Sequence, residues 1–362
     1  VTTAIVCSIG AKADAKRTGM VHILFNLSEA VLVFAAVNIL HSAGALDRIW
    51  AAPITSGGIA NTHTLFNLAC AVLLLPLCGL YEKLSRLVIH DDARHSQGVE
   101  HELQLLDDKF FTSPELALSS SDEAITTMAR LACAGADSAM DTLGAYDRAV
   151  IETVQENEQS IDMLADAVNN YLVRLSGHME ADDNSVLLNY YLQCFSEFER
   201  IGDYAVNLTE SAEELHACGA QFSTTARQEL AVLQDALHEI MGYAADAFTT
   251  RQARVARHIE PLEEVIDDLV ETLRARHTRR LLGGKCTVYG GLGFLNSLTN
   301  IERIADQCSN LGIYTIALTD PEIARTHHDY IQHLHQGDDS FFNAEYRAAH
   351  EKYFGRLAEL AG

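Results

Sequence analysis

Proline and tryptophan are scarce in this chain, which has five prolines and one tryptophan in 362 residues. Because proline interrupts the hydrogen-bond ladder of a helix, its rarity in a chain rich in Ala, Leu, Asp and Glu predicts an all-α protein. The eight cysteines form no C-x-x-C pair. Their scattered positions argue against a disulfide framework or a cysteine zinc site and predict reduced, buried thiols.

Basic residues are also few, since 26 Lys and Arg stand against 50 Asp and Glu, for a net charge of −24. Such a chain lacks the basic surface that phosphate-backbone binding requires, so nucleic acid is not an expected partner. The charge is unevenly spread. Residues 1–90 hold six basic and four acidic side chains, whereas residues 91–362 hold 20 and 46. The chain therefore joins an apolar N-terminal part to a strongly acidic body.

Two apolar runs lie near residues 19–40 and 59–80, each 22 residues long. A helix of that length spans about the 30 Å of a bilayer core, so both runs are predicted to be transmembrane helices. The alternative is a pair of buried amphipathic helices in a soluble bundle. Lys and Arg residues precede the first run and follow the second, so the positive-inside rule places both ends, and the acidic body, in the cytoplasm.

The two runs share the motif H-x-L-F-N-L followed by A-V-L, which starts at His22 and at His63. In each copy the histidine and the asparagine four residues later, Asn26 or Asn67, lie on one helical face. Polar groups in a membrane helix are functional candidates because hydrocarbon solvates them poorly. The shared motif indicates either an internal repeat or one packing solution used twice.

Long helical patterns separated by turn residues fill the body and predict six antiparallel helices. The segment ERIGDYAVNL, from Glu199, matches ERIADQCSNL, from Glu302, at an offset of 103 residues. Upstream, ENEQSIDML, from Glu156, matches PLEEVIDDL, from Pro261, at an offset of 105 residues. The body is therefore predicted to be a tandem pair of three-helix bundles.

These patterns predict four parts in the chain. The expected parts are a membrane part at 1–90, a polar linker at 91–114, the tandem bundles at 115–318, and a helical tail at 319–362. The tail is expected to close the bundle or to contact a partner.

An E-x-x-x-D pattern occurs four times at matched positions of the two bundles. A spacing of four puts both carboxylates on one helical face, where they repel unless a cation lies between them. Helical bundles commonly hold carboxylate metal sites, and oxygen ligands suit Fe, Mn, Mg or Zn. The alternative is a solvated acidic face. The candidate metal ligands are Glu158, Asp162, Glu199, Asp203, Glu263, Asp267, Glu302 and Asp306.

Motifs of catalysis are absent from the sequence. The glycine-rich segment GGKCT lacks the spacing of a phosphate-binding loop, and neither G-x-S-x-G nor H-E-x-x-H occurs. None of the acidic motifs is E-x-x-H, so di-iron redox chemistry is not supported. The chain is not expected to be an enzyme.

At these motifs the chain resembles the bacterial sodium-dependent phosphate cotransporter family (type II Na/Pi), whose members carry a PhoU-like domain after the membrane part. The paired E-R-I-[GA]-D-x-x-x-N-L motifs and the upstream E-x-x-I-D motifs carry the resemblance to PhoU over residues 115–318. The resemblance implies that the eight carboxylates align with the metal-cluster ligands of PhoU.

The N-terminal part resembles the end of the cotransporter domain through VTTAIVCSIGAKADAKRTGMVHILFN and ANTHTLFNL. The family's paired Gln-Ser-Ser-Ser motifs, which form its sodium and phosphate site, do not occur in this chain and are expected upstream of Val1. By resemblance, Thr2, Thr3, Asn26 and Asn67 are the residues expected near that site.

The resemblance implies sodium-dependent phosphate transport by a multi-pass protein of the cell inner membrane, with a cytoplasmic, metal-binding PhoU-like regulatory domain. The expected ligands are sodium ion, inorganic phosphate and a divalent or trivalent metal. The expected protein partners are a second copy or a phosphate-signalling protein. The alternative is a membrane-tethered PhoU-like regulator of phosphate homeostasis that transports nothing, and a soluble metal-storage bundle is a third possibility.

Overall fold

The computed structural model of the chain describes residues 13–50, 53, 55–88, 99–179, 183–284, 286, 288–320, 323, 330, 334 and 339–360. Throughout this part of the chain, regular structure is helical, with no strand. The predicted all-α fold is therefore confirmed. The chain divides into two compact units, Val1–Arg94 and His95–Gly362.

In the part of the first unit that the structure describes, the long helices are α1 (Ala13–Ser42), α2 (Ser56–Leu74) and α3 (Cys78–Val88), and a short helix lies at Asp47–Trp50. Thr55 caps α2, because its hydroxyl accepts a hydrogen bond of 3.2 Å from the Gly58 amide. A single 3₁₀ turn at Leu75–Leu77, which contains a proline, separates α2 from α3. Proline lacks an amide hydrogen, so it fits this break in the helical ladder.

Two stretches of the first unit are long and apolar enough to cross a membrane, Arg17–Ser42 and Gly57–Tyr81. Their most apolar windows are only 6 % and 17 % buried. Large side chains such as Phe34, Leu65 and Val72 point away from the unit, with about seven tenths of their surface exposed. A helix in a soluble core hides such side chains, so these two helices present an exposed apolar surface that a bilayer could cover.

Several polar groups on the apolar helices bond within their own helix. The Asn26 amide donates to the His22 carbonyl at 2.7 Å, and the Asn38 amide donates to the Phe34 carbonyl at the same distance. Asn67 Nδ2 lies 3.1 Å from His63 Nε2. Such local bonds lower the free energy of placing an amide in an apolar medium, since fewer donors are left unsatisfied.

The second unit is built on six long helices, as the sequence predicts. They are α5 (Pro114–Gly144), α6 (Arg148–Ser176), α7 (Asp183–Ala217), α8 (Thr224–Thr250), α9 (Ile259–Leu282) and α10 (Val288–Ala317), preceded by a short α4 (Glu100–Leu105). Helices α5 to α7 pack together as one bundle and α8 to α10 as a second. The tandem of three-helix bundles is confirmed.

The sequence pattern from Ala253 to Leu282 predicts one continuous helix, but the structure divides it in two. A short helix, Ala253–Ala256, is followed by α9, which begins at Ile259 and carries Pro261 in its first turn. A proline fits the first turn because the amides there have no partner within the helix, but it cannot continue a helix from upstream. The helix therefore restarts just before the proline.

The two bundles pack through matching helices. Helix α7 contacts α10, its counterpart in the repeat, and α5 contacts α8. Fully buried alanines such as Ala124, Ala132 and Ala136 line α5 and let its neighbours approach closely. Phe198 of α7 meets Phe248 of α8 edge-to-face, with ring centroids 5.5 Å apart. Together the six helices form one continuous core.

Two further segments cover the outer faces of the bundles. Residues 99–112, within the predicted linker, form α4 and a 3₁₀ turn that pack on α5 and α6. Arg174 holds this segment through an ion pair of 2.6 Å with Asp108. Helix α11 (Ser340–Glu359) packs on α8 and α9, and its Tyr353 and Leu357 are buried there. The helical tail thus closes the second bundle.

We expect Arg251, which ends α8, to stabilise the junction of the bundles. It adopts a left-handed backbone conformation with φ of 53°, and its guanidinium donates to Asp122 and to the Tyr191 hydroxyl at 2.5 Å each. Arg251→Gly keeps the backbone relaxed and removes these bonds, which should lower the free energy of unfolding by about 1–2 kcal/mol. Arg251→Ala should cost about 1 kcal/mol more, because a left-handed conformation strains alanine.

The measurement is chemical denaturation followed by circular dichroism. Arg254→Ala is the control, since this exposed arginine lies three residues away in the short helix that follows. Equal losses for the alanine and glycine variants of Arg251 would contradict the role of backbone strain.

Candidate metal centre

The repeated acidic motifs lie on four helices that meet in pairs. Helix α6 packs against α7 in the first bundle, and α9 packs against α10 in the second. In each E-x-x-x-D motif the two acids are one helical turn apart, so both side chains follow the same face. Where two such faces meet, carboxylates from both helices come together.

In the first bundle, Glu158 and Asp162 of α6 face Asp203 of α7. One carboxylate oxygen from each lies within 4.8 Å of the others, and we call this group the first triad. Glu158 and Asp162 are half-buried and Asp203 is exposed. Glu199 lies one turn before Asp203, outside the triad.

In the second bundle, Glu263 and Asp267 of α9 face Asp306 of α10 within the same 4.8 Å limit, and these residues form the second triad. Glu263 is buried, with 9 % of its surface exposed. Glu302 lies outside this triad, and its carboxylate accepts a charge-assisted hydrogen bond of 2.9 Å from Arg274.

Burial and mutual repulsion disfavour the charged forms of these acids. Burial, then the neighbouring Glu260 and Asp267, raise the pKa of Glu263 to about 9. Burial and the Glu302 carboxylate raise the pKa of Asp267 to about 7. In the first bundle, burial and then Asp162 and Asp203 raise the pKa of Glu199 above its ordinary value. In both clusters, charged carboxylates therefore destabilise one another.

A bound cation fits this arrangement in charge and in size. Carboxylate oxygens bind Mg²⁺, Mn²⁺ or Ca²⁺ at about 2.0–2.6 Å, so ligands on opposite sides of one ion stand about 4–5 Å apart. Three oxygens within 4.8 Å of one another therefore fit around a single ion. Oxygen-only donors favour hard or borderline cations, which agrees with the donor set predicted from the sequence.

The structure brings together six of the eight predicted ligands, and leaves Glu199 and Glu302 beside the triads. Ligation by all eight stays a prediction. Among the predicted transport residues, Asn26 and Asn67 lie on the apolar helices. Thr2 and Thr3 lie outside the described residues.

Two features of the second site were missed by the sequence reasoning. Arg274 follows Asp267 by seven residues, or two helical turns, so its spacing places it on the ligand face and could have revealed it. Glu260 is buried and accepts a hydrogen bond of 2.5 Å from Ser309. Only the packing of α9 on α10 brings Glu260 and Ser309 together, since no spacing along the sequence relates them.

Comparison with known proteins identifies the helical body. Residues 125–212 and 230–315 each match the family model described as the PhoU domain. The first match covers most of α5 to α7 and the second covers most of α8 to α10, so each bundle corresponds to one domain. Each triad lies inside one matched segment.

A curated relative, a phosphate-specific transport system accessory protein PhoU homolog of a Burkholderia species, is 26 % identical over 197 residues, which are 52 % of this chain and 81 % of the relative. The crystal structure of PhoU from Pseudomonas aeruginosa matches with a TM-score of 0.53 and 20 % identity, covering 56 % of this chain and 97 % of that one.

The phosphate transport system regulatory protein PhoU of Streptococcus pneumoniae gives a TM-score of 0.52 at 18 % identity, over 58 % of this chain and 99 % of that one. These structures show a shared fold, and the family match adds a shared sequence pattern. The acidic helical part of this chain, from residue 125 to residue 315, is therefore PhoU-like in both sequence and fold.

Proposed function

We propose that this chain is a membrane-tethered, metal-binding regulator of phosphate homeostasis. The observation that carries the proposal is the joining, in one chain, of two PhoU-like bundles and two exposed apolar helices long enough to span a bilayer. Of the two functions that the sequence suggests, the regulator without transport activity has the better support, because every matched segment lies in the body.

The regulatory part of the proposal follows from the relatives. The curated relatives are named as accessory proteins of a phosphate-specific transport system. By analogy, the helical body would act on a phosphate transporter or on a phosphate-signalling protein rather than move phosphate itself. The core contacts between α7 and α10 join the two bundles. A change in structure at one triad would therefore alter the packing of the other bundle.

The membrane part of the proposal follows from the surface of the first unit. Its two apolar helices bury little of their surface within the unit, and their polar groups bond locally. Both features favour contact with lipid. Two such helices would concentrate the regulator at the membrane, where a phosphate transporter resides.

Metal binding by the triads is the third part of the proposal. The carboxylates repel one another, and Glu263 lies buried among them, so a divalent cation would replace repulsion by attraction. The candidate ions are Mn²⁺, Fe²⁺, Mg²⁺ and Zn²⁺. We propose a regulatory and structural role for the metal.

Sodium-dependent phosphate transport is the second candidate function. The observation in its favour is the repeated His–Asn pair, which gives each apolar helix a polar surface that other membrane helices could contact. Phosphate uptake driven by a sodium gradient, in vesicles that contain the chain, would establish the transport function. Uptake that does not depend on sodium would exclude it and favour the regulatory function.

The regulatory function is tested by deleting the gene in its host and measuring phosphate uptake during phosphate excess. We expect deregulated uptake, restored by the wild-type chain. Leu65→Lys with Val72→Lys should fail to restore regulation and should release the chain from membranes, because charged side chains are costly in hydrocarbon. Val173→Lys, at an exposed apolar position of the body, is the matched control and should restore regulation. Normal uptake in the deletion strain would contradict the proposal.

Metal binding predicts that Asp203→Ala and Asp306→Ala each remove about one equivalent of bound Mn²⁺ per chain, because each variant takes a ligand from one triad. Elemental analysis after equilibrium dialysis gives the stoichiometry. Asp141→Ala and Asp246→Ala are controls at another pair of positions matched by the 105-residue offset, outside both triads. Unchanged stoichiometry in the Asp203 and Asp306 variants would favour a solvated acidic face.

The raised carboxyl pKa values predict a pH dependence of stability in the metal-free chain. Folding raises the pKa of Glu263 to about 9 and of Asp267 to about 7, from about 4 in the unfolded chain. Between about pH 4 and about pH 9 the folded state binds more protons than the unfolded state. The free energy of unfolding should therefore fall as pH rises over this range.

Denaturation at several pH values checks this expectation. Glu263→Gln should flatten the fall, and saturating Mn²⁺ should reverse it above pH 7, because a bound cation favours the charged carboxylates. A free energy of unfolding that rises with pH over this range in the metal-free chain would contradict the prediction.

A further inference from the structure

The two triads differ in the charge placed next to them. The offset of 105 residues that relates α6 to α9 aligns Asn169 of the first bundle with Arg274 of the second. The offset of 103 aligns Glu199 with Glu302. In the second bundle Arg274 Nη2 bonds Glu302 Oε2 at 2.9 Å. In the first bundle the aligned side chain is an uncharged amide.

The second triad shows independent signs of a missing partner. The Glu263 side chain is more than nine tenths buried and accepts no hydrogen bond from the described residues, while its oxygen lies within 4.8 Å of those of Asp267 and Asp306. One oxygen of Asp267, Oδ1, is buried and also accepts no hydrogen bond from that part of the chain. Buried carboxylate oxygens are rarely left without a partner, so Asp267 Oδ1, beside the buried Glu263 side chain, indicates a cation position.

We propose that Arg274 is an internal counter-ion that competes with metal for Glu302 and thereby weakens metal binding at the second triad. The inference rests on the proposed metal-binding function. Glu302 lies one helical turn before Asp306, so its carboxylate can join the triad as a fourth ligand once Arg274 releases it. The two sites then differ in their counter-ion, because the residue aligned with Arg274 in the first bundle, Asn169, carries no charge.

The competition has a simple physical basis. Recruiting Glu302 breaks a charge-assisted hydrogen bond and leaves the guanidinium beside a divalent cation of the same sign. The pair is about 40 % exposed, so water screens much of this interaction. Removing Arg274 should tighten metal binding about fivefold, which corresponds to about 1 kcal/mol.

A consequence follows for regulation. Sites of unequal affinity fill at different metal concentrations, so the two bundles would respond one after the other rather than together. Arg274 would set the concentration at which the second bundle responds. A permanent cation at this position also limits the repulsion within the second cluster while no metal is bound.

The test uses the full chain in detergent and Mn²⁺ as the probe, with unbound Mn²⁺ measured by electron paramagnetic resonance. Asp203→Ala confines binding to the second triad and serves as the parent. In that background, Arg274→Gln should lower the Kd for Mn²⁺ about fivefold, whereas Arg274→Lys, which keeps the charge, should stay within about twofold of the parent.

Arg279→Gln is the matched control. It removes the same charge from the same helix, but its side chain bonds only the Ala275 carbonyl among the described residues, so the Kd should not change. Circular dichroism checks that each variant keeps its helices. The control separates the local ion pair from the general loss of a positive charge.

The outcomes separate this inference from the function on which it rests. An unchanged Kd in Arg274→Gln, or equal tightening in the Arg274→Lys or Arg279→Gln variants, overturns the role of Arg274 and leaves metal binding intact. Failure of the unmodified chain to bind Mn²⁺ overturns both. A fivefold tightening confined to Arg274→Gln supports the competition.

Discussion

The acidic seams of the two bundles are the constraint on which the rest of the structure depends. Each seam brings carboxylates from two neighbouring helices to within 4.8 Å of one another, and in the second bundle Glu263 is buried as well. Like charges in such positions oppose the packing of their helices. The apolar core must therefore hold the helices together against this repulsion, and a cation in the seam would turn the repulsion into a bond.

The apolar core opposes this repulsion because it is continuous between the two bundles. Alanine-rich α5 allows close approach, aromatic rings link α7 to α8, and matching helices of the two repeats contact each other. Added segments at 99–112 and at α11 cover the outer faces and bury further apolar side chains such as Val99 and Leu357. The acidic seams can then remain open to ions at the surface while the packing behind them stays fixed.

Polar side chains of this chain are satisfied both between helices and within them. In the body, some polar groups are shared between helices, as where the Tyr314 hydroxyl donates to the buried Glu197 carboxylate across the α7–α10 contact. In α1, Asn26 and Asn38 bond carbonyls of their own helix. Such bonds within one helix would suit a bilayer, because water accepts exposed polar groups and hydrocarbon does not.

The sequence by itself determined the helical class, the two apolar runs, the six helices of the body and the repeat, because each depends on local periodicity and on comparison of the chain with itself. It also placed the two carboxylates of each acidic motif on one helix face, since a spacing of four fixes a face. Only the tertiary structure decided which six converge, that Arg274 pairs with Glu302, and that residues 99–112 pack on the first bundle. The six-residue convergence, the Arg274–Glu302 bond and the packing of residues 99–112 depend on how far apart two helices lie and how one is rotated against the other. Both follow from side-chain packing across the whole core and not from local spacing.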